Sequence, residues 1–112
     1  MAGKFEIYKD KAGEFRFRLK AANGQSILAS EGYKSMDACR NGIASVQKNG
    51  PIGERYERKV ASNGKHHFVL KAANHQVIGS SELYESERAM EAGIESVRKN
   101  SGSITIDDTS AK

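Results

Sequence analysis

A row of cations between Phe15 and Lys20 offers the clearest chemistry in this sequence. The segment alternates apolar and basic residues, and a period of two places its cations on one face of a strand: Arg16, Arg18 and Lys20. Alternation on other strands is expected to place three more residues on the same side of the sheet: Tyr8, His67 and Lys71. Cations interleaved with an aromatic ring are typical of surfaces that bind single-stranded nucleic acid or another anion. A solvated sheet face that binds nothing has the same pattern, so both interpretations stay open.

The other reactive side chains predict no metal site, no cofactor and no catalytic centre. His66 and His67 are consecutive on a strand and point to opposite faces, which leaves His75 across the hairpin as the one further candidate ligand. The single cysteine, Cys39, falls on the apolar stripe of a helix and is interpreted as a core residue. Four serines recur in the two halves, but no repeated histidine near them could act as a base: Ser30, Ser35, Ser81 and Ser86. We therefore expect no enzyme activity, and the alternative is a small enzyme with its site at the junction of the two halves.

Length and composition indicate one small soluble domain. The chain has 112 residues and a formal net charge of +4, and the whole excess lies in Met1–Pro51. One cysteine cannot form an internal disulfide, which favours a reducing compartment. The sequence shows no apolar run of membrane-spanning length and no signal peptide at its start. We expect a cytoplasmic protein with no membrane contact.

The chain contains two copies of one unit, offset by 51 residues. Three pairs of segments carry the similarity: LKAANGQSI with LKAANHQVI, SEGYKS with SELYES, and GIASVQKN with GIESVRKN. From Phe5 to Asn49, 21 of 45 positions are identical between the copies. Such self-similarity indicates a duplication. We predict a single domain over 1–112, with repeat 1 at 1–51, repeat 2 at 52–106 and a flexible tail at 107–112.

Each unit begins with a predicted three-stranded meander. In the first unit the strands are expected at Lys4–Lys9, Phe15–Lys20 and Gln25–Glu31. Ile27 and Ala29 of the third strand are expected on the core side. Asn23 and Gly24 are predicted to form a type I′ turn, which requires positive φ at both residues. His75 replaces the glycine in the second unit and must adopt a left-handed conformation there.

A helix follows each meander, where the apolar period changes from two to 3.6. The predicted N-caps are Ser35 and Ser86, and the helices are expected to end near Asn49 and Asn100. Gly42 and Gly93 lie at equivalent positions inside these helices, where glycine costs about 1 kcal/mol relative to alanine. The pair predicts a close approach of each helix to another element. An acidic stripe on the second helix, formed by Glu87, Glu91 and Glu95, is interpreted as a solvated face.

A closing strand is predicted after the second helix, at Ser103–Asp107. In the first unit Ile52–Val60 is predicted to serve both as the closing strand and as the first strand of the second unit. Each unit is then β-β-β-α-β, which is marginal alone. We predict an α+β fold in which both units share one mostly antiparallel sheet, with both helices on the same face.

The repeated motifs resemble the YegP-like family of small bacterial proteins. The similarity lies in the LKAANG and LKAANH strand-turn segments, the SE-x-Y-x-S linker and the GI-x-SV-x-KN helix ends, and it covers nearly the whole chain. This resemblance implies a repeat of three strands, a helix and a closing strand, with the closing strands exchanged between repeats. It implies no established activity.

We predict a non-catalytic binding or interaction module that uses the exposed face of the sheet. The alternative ligand is single-stranded nucleic acid or another anion, bound through Arg16, Arg18 and Lys20. Because each repeat supplies strands and core that the other needs, we expect a monomer with pseudo-two-fold symmetry.

Overall fold

A seven-stranded sheet with two helices on one face forms the molecule, and the computed structural model describes residues 3–109. The elements along the chain are β1 (Lys4–Lys9), β2 (Phe15–Lys20), β3 (Ser26–Ala29), α1 (Met36–Asn49), a 3-10 turn (Gly53–Arg55), β4 (Tyr56–Val60), β5 (His66–Lys71), β6 (Val77–Ser80), α2 (Glu87–Asn100) and β7 (Ile106–Asp108). Across the sheet the strand order is β4-β5-β6-β3-β2-β1-β7. The predicted α+β architecture of two repeats sharing one sheet is confirmed. Within residues 3–109 neither helix is long and apolar enough to cross a bilayer.

The turn between β2 and β3 differs from the predicted type I′ turn. Gly24 has a φ of 85°, whereas Asn23 does not adopt a positive φ. The Ala21 amide donates to the Gln25 carbonyl at 2.8 Å, and the Gly24 amide donates to the Ala21 carbonyl at 2.9 Å. This is a three-residue loop made of a type I turn and one left-handed residue. The Oδ1 atom of Asn23 accepts a bond from the Gln25 amide at 3.0 Å, which holds this alternative conformation.

The predicted left-handed histidine in the second unit is confirmed, because His75 has a φ of 71°. The turn has the same form as in the first unit: the His75 amide donates to the Ala72 carbonyl at 2.9 Å. The repeats therefore share one loop geometry although one uses glycine and the other histidine. Left-handed backbone strains a residue with a Cβ atom, so this position is less relaxed in the second unit.

The prediction that Ala29 of strand β3 faces the core is wrong. The β2–β3 register shifts between Leu19 and Lys20, so that Leu28 lies opposite Leu19 and Ala29 lies opposite Arg18. Leu19 and Leu28 are buried in the core, while Ala29 lies on the opposite face of the sheet. An irregularity of this kind changes which residues of a strand face the core. Ile27 is buried, in agreement with its predicted place in the core.

The two repeats meet at strands β3 and β6, where Ala29 pairs with Ser80. These residues are equivalent, since their numbers differ by the repeat offset of 51. An antiparallel pair of equivalent residues places a local two-fold axis at that pair. The helices then reach across this axis, because α1 contacts β6 of the second repeat and α2 contacts β3 of the first. One continuous core results, as the sequence predicts.

The closing strand β7 lies farther along the chain than predicted and runs parallel to β1. The Phe5 amide donates to the Thr105 carbonyl at 2.9 Å, and the Thr109 amide donates to the Ile7 carbonyl at 2.8 Å. The second repeat thus covers the edge of the first, which is one half of the exchange that the family resemblance implies. Strand β7 includes two residues of the predicted tail, Asp107 and Asp108, whereas 110–112 lie outside the described residues.

No separate closing strand of the first unit stands beside β4, which pairs only with β5 among the described strands. The predicted double role of Ile52–Val60 is therefore wrong. Its first part forms the 3-10 turn, and the Tyr56 amide donates to the Gly53 carbonyl. Tyr56–Val60 serves as the first strand of the second unit alone.

Both mid-helix glycines lie against a tyrosine, which confirms the predicted close approach. A Cβ atom on Gly42 would lie 2.6 Å from the Tyr33 hydroxyl oxygen, and one on Gly93 would lie 2.3 Å from that of Tyr84. Each tyrosine stacks on a buried phenylalanine of the same repeat, with ring centroids 6.2 Å and 6.3 Å apart. The ring cannot retreat without disturbing that stack.

The predicted N-caps are also confirmed. The Oγ atoms of Ser35 and Ser86 accept bonds from the amides of Ala38 and Ala89, each at 3.1 Å. These bonds satisfy one free amide at the start of each helix.

Candidate functional site

The outer face is the side of the sheet away from the helices, and cross-strand pairing identifies its residues. Lys4, Glu6 and Tyr8 of β1 lie opposite Lys20, Arg18 and Arg16 of β2, while the alternate residues of both strands enter the core. In the second repeat the outer face includes Glu57, Lys59, His67, Val69 and Lys71. The structure therefore brings together on one surface all six residues singled out from the sequence: Tyr8, Arg16, Arg18, Lys20, His67 and Lys71.

Glu6 links the cations of the first repeat. Its carboxylate lies 3.2 Å from Arg18 Nε and 3.3 Å from Lys20 Nζ. The Arg18 Nε–H is not aimed at the carboxylate, so that contact is an ion pair without a hydrogen bond. The guanidinium of Arg18 also lies over the Tyr8 ring, with Cζ 4.1 Å from the centroid. The Glu6 carboxylate thus neutralises only one of the two positive charges of Arg18 and Lys20.

Arg16 has a carboxylate partner of its own. Its Nε donates to Asp10 Oδ2 at 2.6 Å, and Asp10 Oδ1 accepts bonds from the amides of Ala12 and Glu14 in the β1–β2 turn. The bond from Arg16 and these amides hold the pKa of Asp10 below its usual range. The sequence predicts the position of Arg16 on this face but does not reveal this pairing.

The second repeat repeats the central ion pair. Lys71 Nζ lies 2.7 Å from Glu57, and Lys59 Nζ lies 3.9 Å from the same carboxylate. Lys71 and Glu57 are equivalent to Lys20 and Glu6 by the offset of 51. The bond from Lys71 lowers the pKa of Glu57. Neither Lys59 nor Glu57 was singled out from the sequence, because β4 has no alternation of apolar and basic residues.

A model of the Domain of unknown function (DUF1508) matches residues 10–57 and again residues 61–108. The two matches together cover most of the chain and follow the two repeats. The chain belongs to the DUF1508 family.

Relatives of this DUF1508 protein are similar over nearly their whole length. The UPF0339 protein in ptx operon 5'region of Stutzerimonas stutzeri is 61% identical over 100 residues, which cover 89% of this chain and 90% of that protein. The UPF0339 protein YegP of Escherichia coli (strain K12) is 55% identical over 108 residues, which cover 96% of this chain and 98% of that protein.

Solved structures of such proteins have the same fold. The solution NMR structure of YegP from E. coli, a protein of unknown function, is 53% identical and has a TM-score of 0.94 over 100% of this chain and 97% of that chain. The solution NMR structure of a UPF0339 protein from Shewanella oneidensis is 47% identical and has a TM-score of 0.93, covering 100% of this chain and 95% of that chain. These relatives confirm the YegP-like resemblance inferred from the repeated motifs. The family is uncharacterised in function.

A hollow of about 780 Å³ lies at the repeat junction of this DUF1508 protein, between the β2–β3 turn and α2. Its polar lining includes Glu95, Ser96, Lys99 and Asn100. The Asn100 side chain is already used: Nδ2 donates to the Ser96 carbonyl at 2.7 Å, and Oδ1 accepts from the Gly3 amide at 2.7 Å. Glu95 pairs with Arg98 at 3.6 Å. This lining contains no nucleophile paired with a base, so it does not support the junction enzyme.

Ser30 and Ser81, the repeated serines that follow β3 and β6, have hydrogen-bond partners in the backbone. Ser30 Oγ accepts from the Phe17 amide at 2.9 Å, and Ser81 Oγ accepts from the Phe68 amide at 3.0 Å. Both hydroxyls then donate to the carbonyl of the next residue at 2.8 Å. The serines thereby hold the ends of β3 and β6 against the neighbouring strands.

The histidines do not converge. His66 and His67 lie opposite Val60 and Lys59 on β4, and therefore on opposite faces of the sheet. His75 occupies the turn after β5. Within residues 3–109 no three side chains of His, Cys, Asp or Glu form a group that could hold a metal ion.

Cys39 is fully buried in the core, and burial raises the pKa of its thiol to about 11. We expect the native thiol to react with a disulfide reagent at pH 7 on the order of 100-fold more slowly than in denaturant. The reaction can be followed by absorbance, with the guanidinium-unfolded chain as the reference. Equal rates in the two conditions would show that Cys39 is accessible and reactive.

The acidic stripe on α2 contains one glutamate that pairs with a residue of the sheet. Glu91 forms a bidentate pair with Arg58 of β4, in which Arg58 Nη2 lies 2.9 Å from Glu91 Oε1. This bond lowers the pKa of Glu91 and raises that of Arg58. Glu87 and Glu95 remain exposed. The side chains of Arg58 and Glu91 are 45% and 44% exposed, so the pair lies at the surface and agrees with the predicted solvated face.

Proposed function

We propose that this protein is a non-catalytic binding module whose ligand lies on the outer face and is anionic. The observation that carries the proposal is the uncovered outer face, on which Arg18 and Lys20 share the single carboxylate of Glu6. An unpaired positive charge on a sheet platform attracts an anion. Tyr8 beside Arg18 adds an aromatic surface of the kind on which a base or other planar group stacks.

Single-stranded nucleic acid is the ligand class favoured for this face. The cations of β2 follow one another at alternate residues of an extended strand, a spacing of about 6.8 Å. Successive phosphates of an extended single strand have a comparable separation, so each cation of the row can contact one phosphate of a linear polyanion. The carboxylates of Glu6 and Asp10 compete with such a ligand, and we therefore expect weak binding that does not depend on base sequence.

The test is a titration of labelled single-stranded DNA, single-stranded RNA and heparin at two salt concentrations. We expect binding at low salt whose logarithmic salt dependence has a slope of about −0.7 per phosphate contact. The charge-reversal variant Arg16→Glu/Arg18→Glu should bind at least about tenfold more weakly, with a slope reduced by about 1.4 for two lost contacts. Circular dichroism verifies that this variant is folded.

A matched control carries the same change in net charge on the helix side. Lys48 and Arg88 are exposed on α1 and α2, so Lys48→Glu/Arg88→Glu should leave the affinity nearly unchanged. Glu6→Gln should act in the opposite direction and raise the affinity, because it releases Arg18 and Lys20. Equal losses in both double variants would assign the binding to net charge alone. Absence of binding by the parent protein at low salt would refute the proposed function.

A further inference from the structure

Two hollows lie at equivalent positions of the two repeats, each beside one end of the outer face. The first has a volume of about 410 Å³ and is lined by Gly3, Lys4, Lys20, Asn23, Gly24 and Thr105. The second has a volume of about 270 Å³ and is lined by Glu54, Arg55, Glu57, Lys71 and His75. The offset of 51 relates Lys4 to Arg55 and Lys20 to Lys71. Both hollows therefore contain the same pair of cationic positions.

The cation pair of the first hollow breaks a rule of strand pairing. Lys4 and Lys20 lie directly opposite each other on β1 and β2, where like charges destabilise a sheet. Lys4 Nζ lies 3.4 Å from Asp107, and Lys20 shares Glu6 with Arg18. Three cations here share two carboxylates. A local conflict of this kind is typical of a functional site.

The first hollow also contains neutral hydrogen-bond donors. The Oδ1 atom of Asn23 accepts a bond from the Gln25 amide. The hydrogen-bond donor of this side chain is its Nδ2 amide group. Thr105 contributes a hydroxyl, and Gly24 contributes backbone without a side chain. Among the residues that the structure places in this lining, none is acidic. Two ammonium groups with amide and hydroxyl donors match the several acceptor oxygens of a phosphate group.

We propose that the hollow formed by Lys4, Lys20, Asn23 and Thr105 binds a phosphate group, and that the equivalent hollow at Arg55 and Lys71 is a second, weaker site. This inference rests on the proposed function, since it assigns the anion to particular positions at the rim of the outer face. The second site is weaker because Glu54 and Glu57 line it and repel an anion. The phosphate belongs either to a small phosphorylated molecule or to the backbone or terminus of a single strand.

The experiment is a two-dimensional ¹H–¹⁵N NMR titration of the full chain. Inorganic phosphate, adenosine monophosphate and a single-stranded oligonucleotide with or without a 5′-phosphate are added separately, and sodium chloride at equal ionic strength is the reference. We expect phosphate to shift the amides of Gly3, Asn23, Gly24 and Thr105 first. Lys4→Gln should weaken phosphate binding about tenfold. Thr105→Val, which removes only the hydroxyl, should weaken it less.

Two control variants separate this site from its equivalent and from general charge. Arg55→Gln should leave the first hollow unchanged and abolish the weaker shifts around His75. Lys48→Gln on α1 should change neither site. Binding of phosphate in the hollow without binding of any oligonucleotide would support this inference and refute the nucleic-acid ligand. A 5′-phosphate requirement would identify a strand terminus, and equal binding of both oligonucleotides would identify the backbone.

The inference is overturned when phosphate produces no shifts in the hollow beyond those of sodium chloride, or when Lys4→Gln leaves them unchanged. Oligonucleotide binding that shifts Arg16 and Arg18 and is insensitive to Lys4→Gln would also overturn it, while the proposed function would stand. The two hypotheses therefore fail on different results.

Discussion

A chain truncated after Gly50 is expected to lose its monomeric fold. The first repeat would then lack β7, which covers the edge of β1, and β6, against which α1 packs. It would also lose α2, which contacts β3. Met1–Gly50 should be unfolded at micromolar concentration, or should form a dimer in which a second copy replaces the missing repeat. Circular dichroism and light scattering after size exclusion distinguish these outcomes.

The full chain at the same concentration is the control for this truncation, and we expect it to be a folded monomer. Mixing Met1–Gly50 with a chain that begins at Pro51 should restore part of the helical signal, because the two pieces contain all strands of the sheet. A folded monomeric half, stable without its partner, would contradict the shared core and require each repeat to be a domain by itself.

Gly42→Leu and Gly93→Leu are expected to destabilise the protein by roughly 1–3 kcal/mol each. Leucine has the better helix propensity, yet its Cβ atom would lie 2.6 Å or less from a tyrosine hydroxyl. The tyrosine is held by stacking on Phe17 in one repeat and on Phe68 in the other. The free energy of unfolding can be measured by urea denaturation, with unchanged slope as evidence for two-state unfolding.

Matched controls on the same helices are Ala44→Leu and Ala92→Leu, because both alanines are exposed. These changes add the same side chain without a clash, and we expect effects within about 0.5 kcal/mol. A rise in melting temperature for either glycine variant would mean that this glycine does not face its tyrosine. The helix orientation would then have to be revised.

The two outer edges of the sheet show how the duplicated units have diverged. On β1 the edge is covered by β7, and Ile7 is fully buried. The equivalent residue on β4 is Arg58, which pairs with Glu91 of α2 above an uncovered edge. Charged side chains on an edge strand oppose pairing with other chains. The second repeat thus has a charged side chain with an ionic partner at its edge, where the first repeat has a closing strand.

The sequence by itself determined the repeat, the helices and most of the strands. These features depend on local patterns: the identity between copies at an offset of 51, the change of period from two to 3.6, and serine caps ahead of each helix. It also placed Arg16, Arg18 and Lys20 on the uncovered face, because the apolar residues between them must enter the core. Mid-helix glycines indicated a close approach without identifying the tyrosines.

Tertiary structure alone decided how the two meanders and β7 join into one sheet and which charges are paired. Strand β7 has the same local pattern whether it lies beside β1 or beside β4, so its parallel place on β1 depends on the path of the whole chain. The register shift beside Leu19 reversed the predicted direction of Ala29. Lys4 lies opposite Lys20 on the neighbouring strand, and the Glu6 carboxylate bridges Lys20 and Arg18. These contacts join residues that are distant in sequence. Periodicity specifies the face on which a side chain lies, whereas its partner on that face depends on register, which is set by packing of the complete sheet.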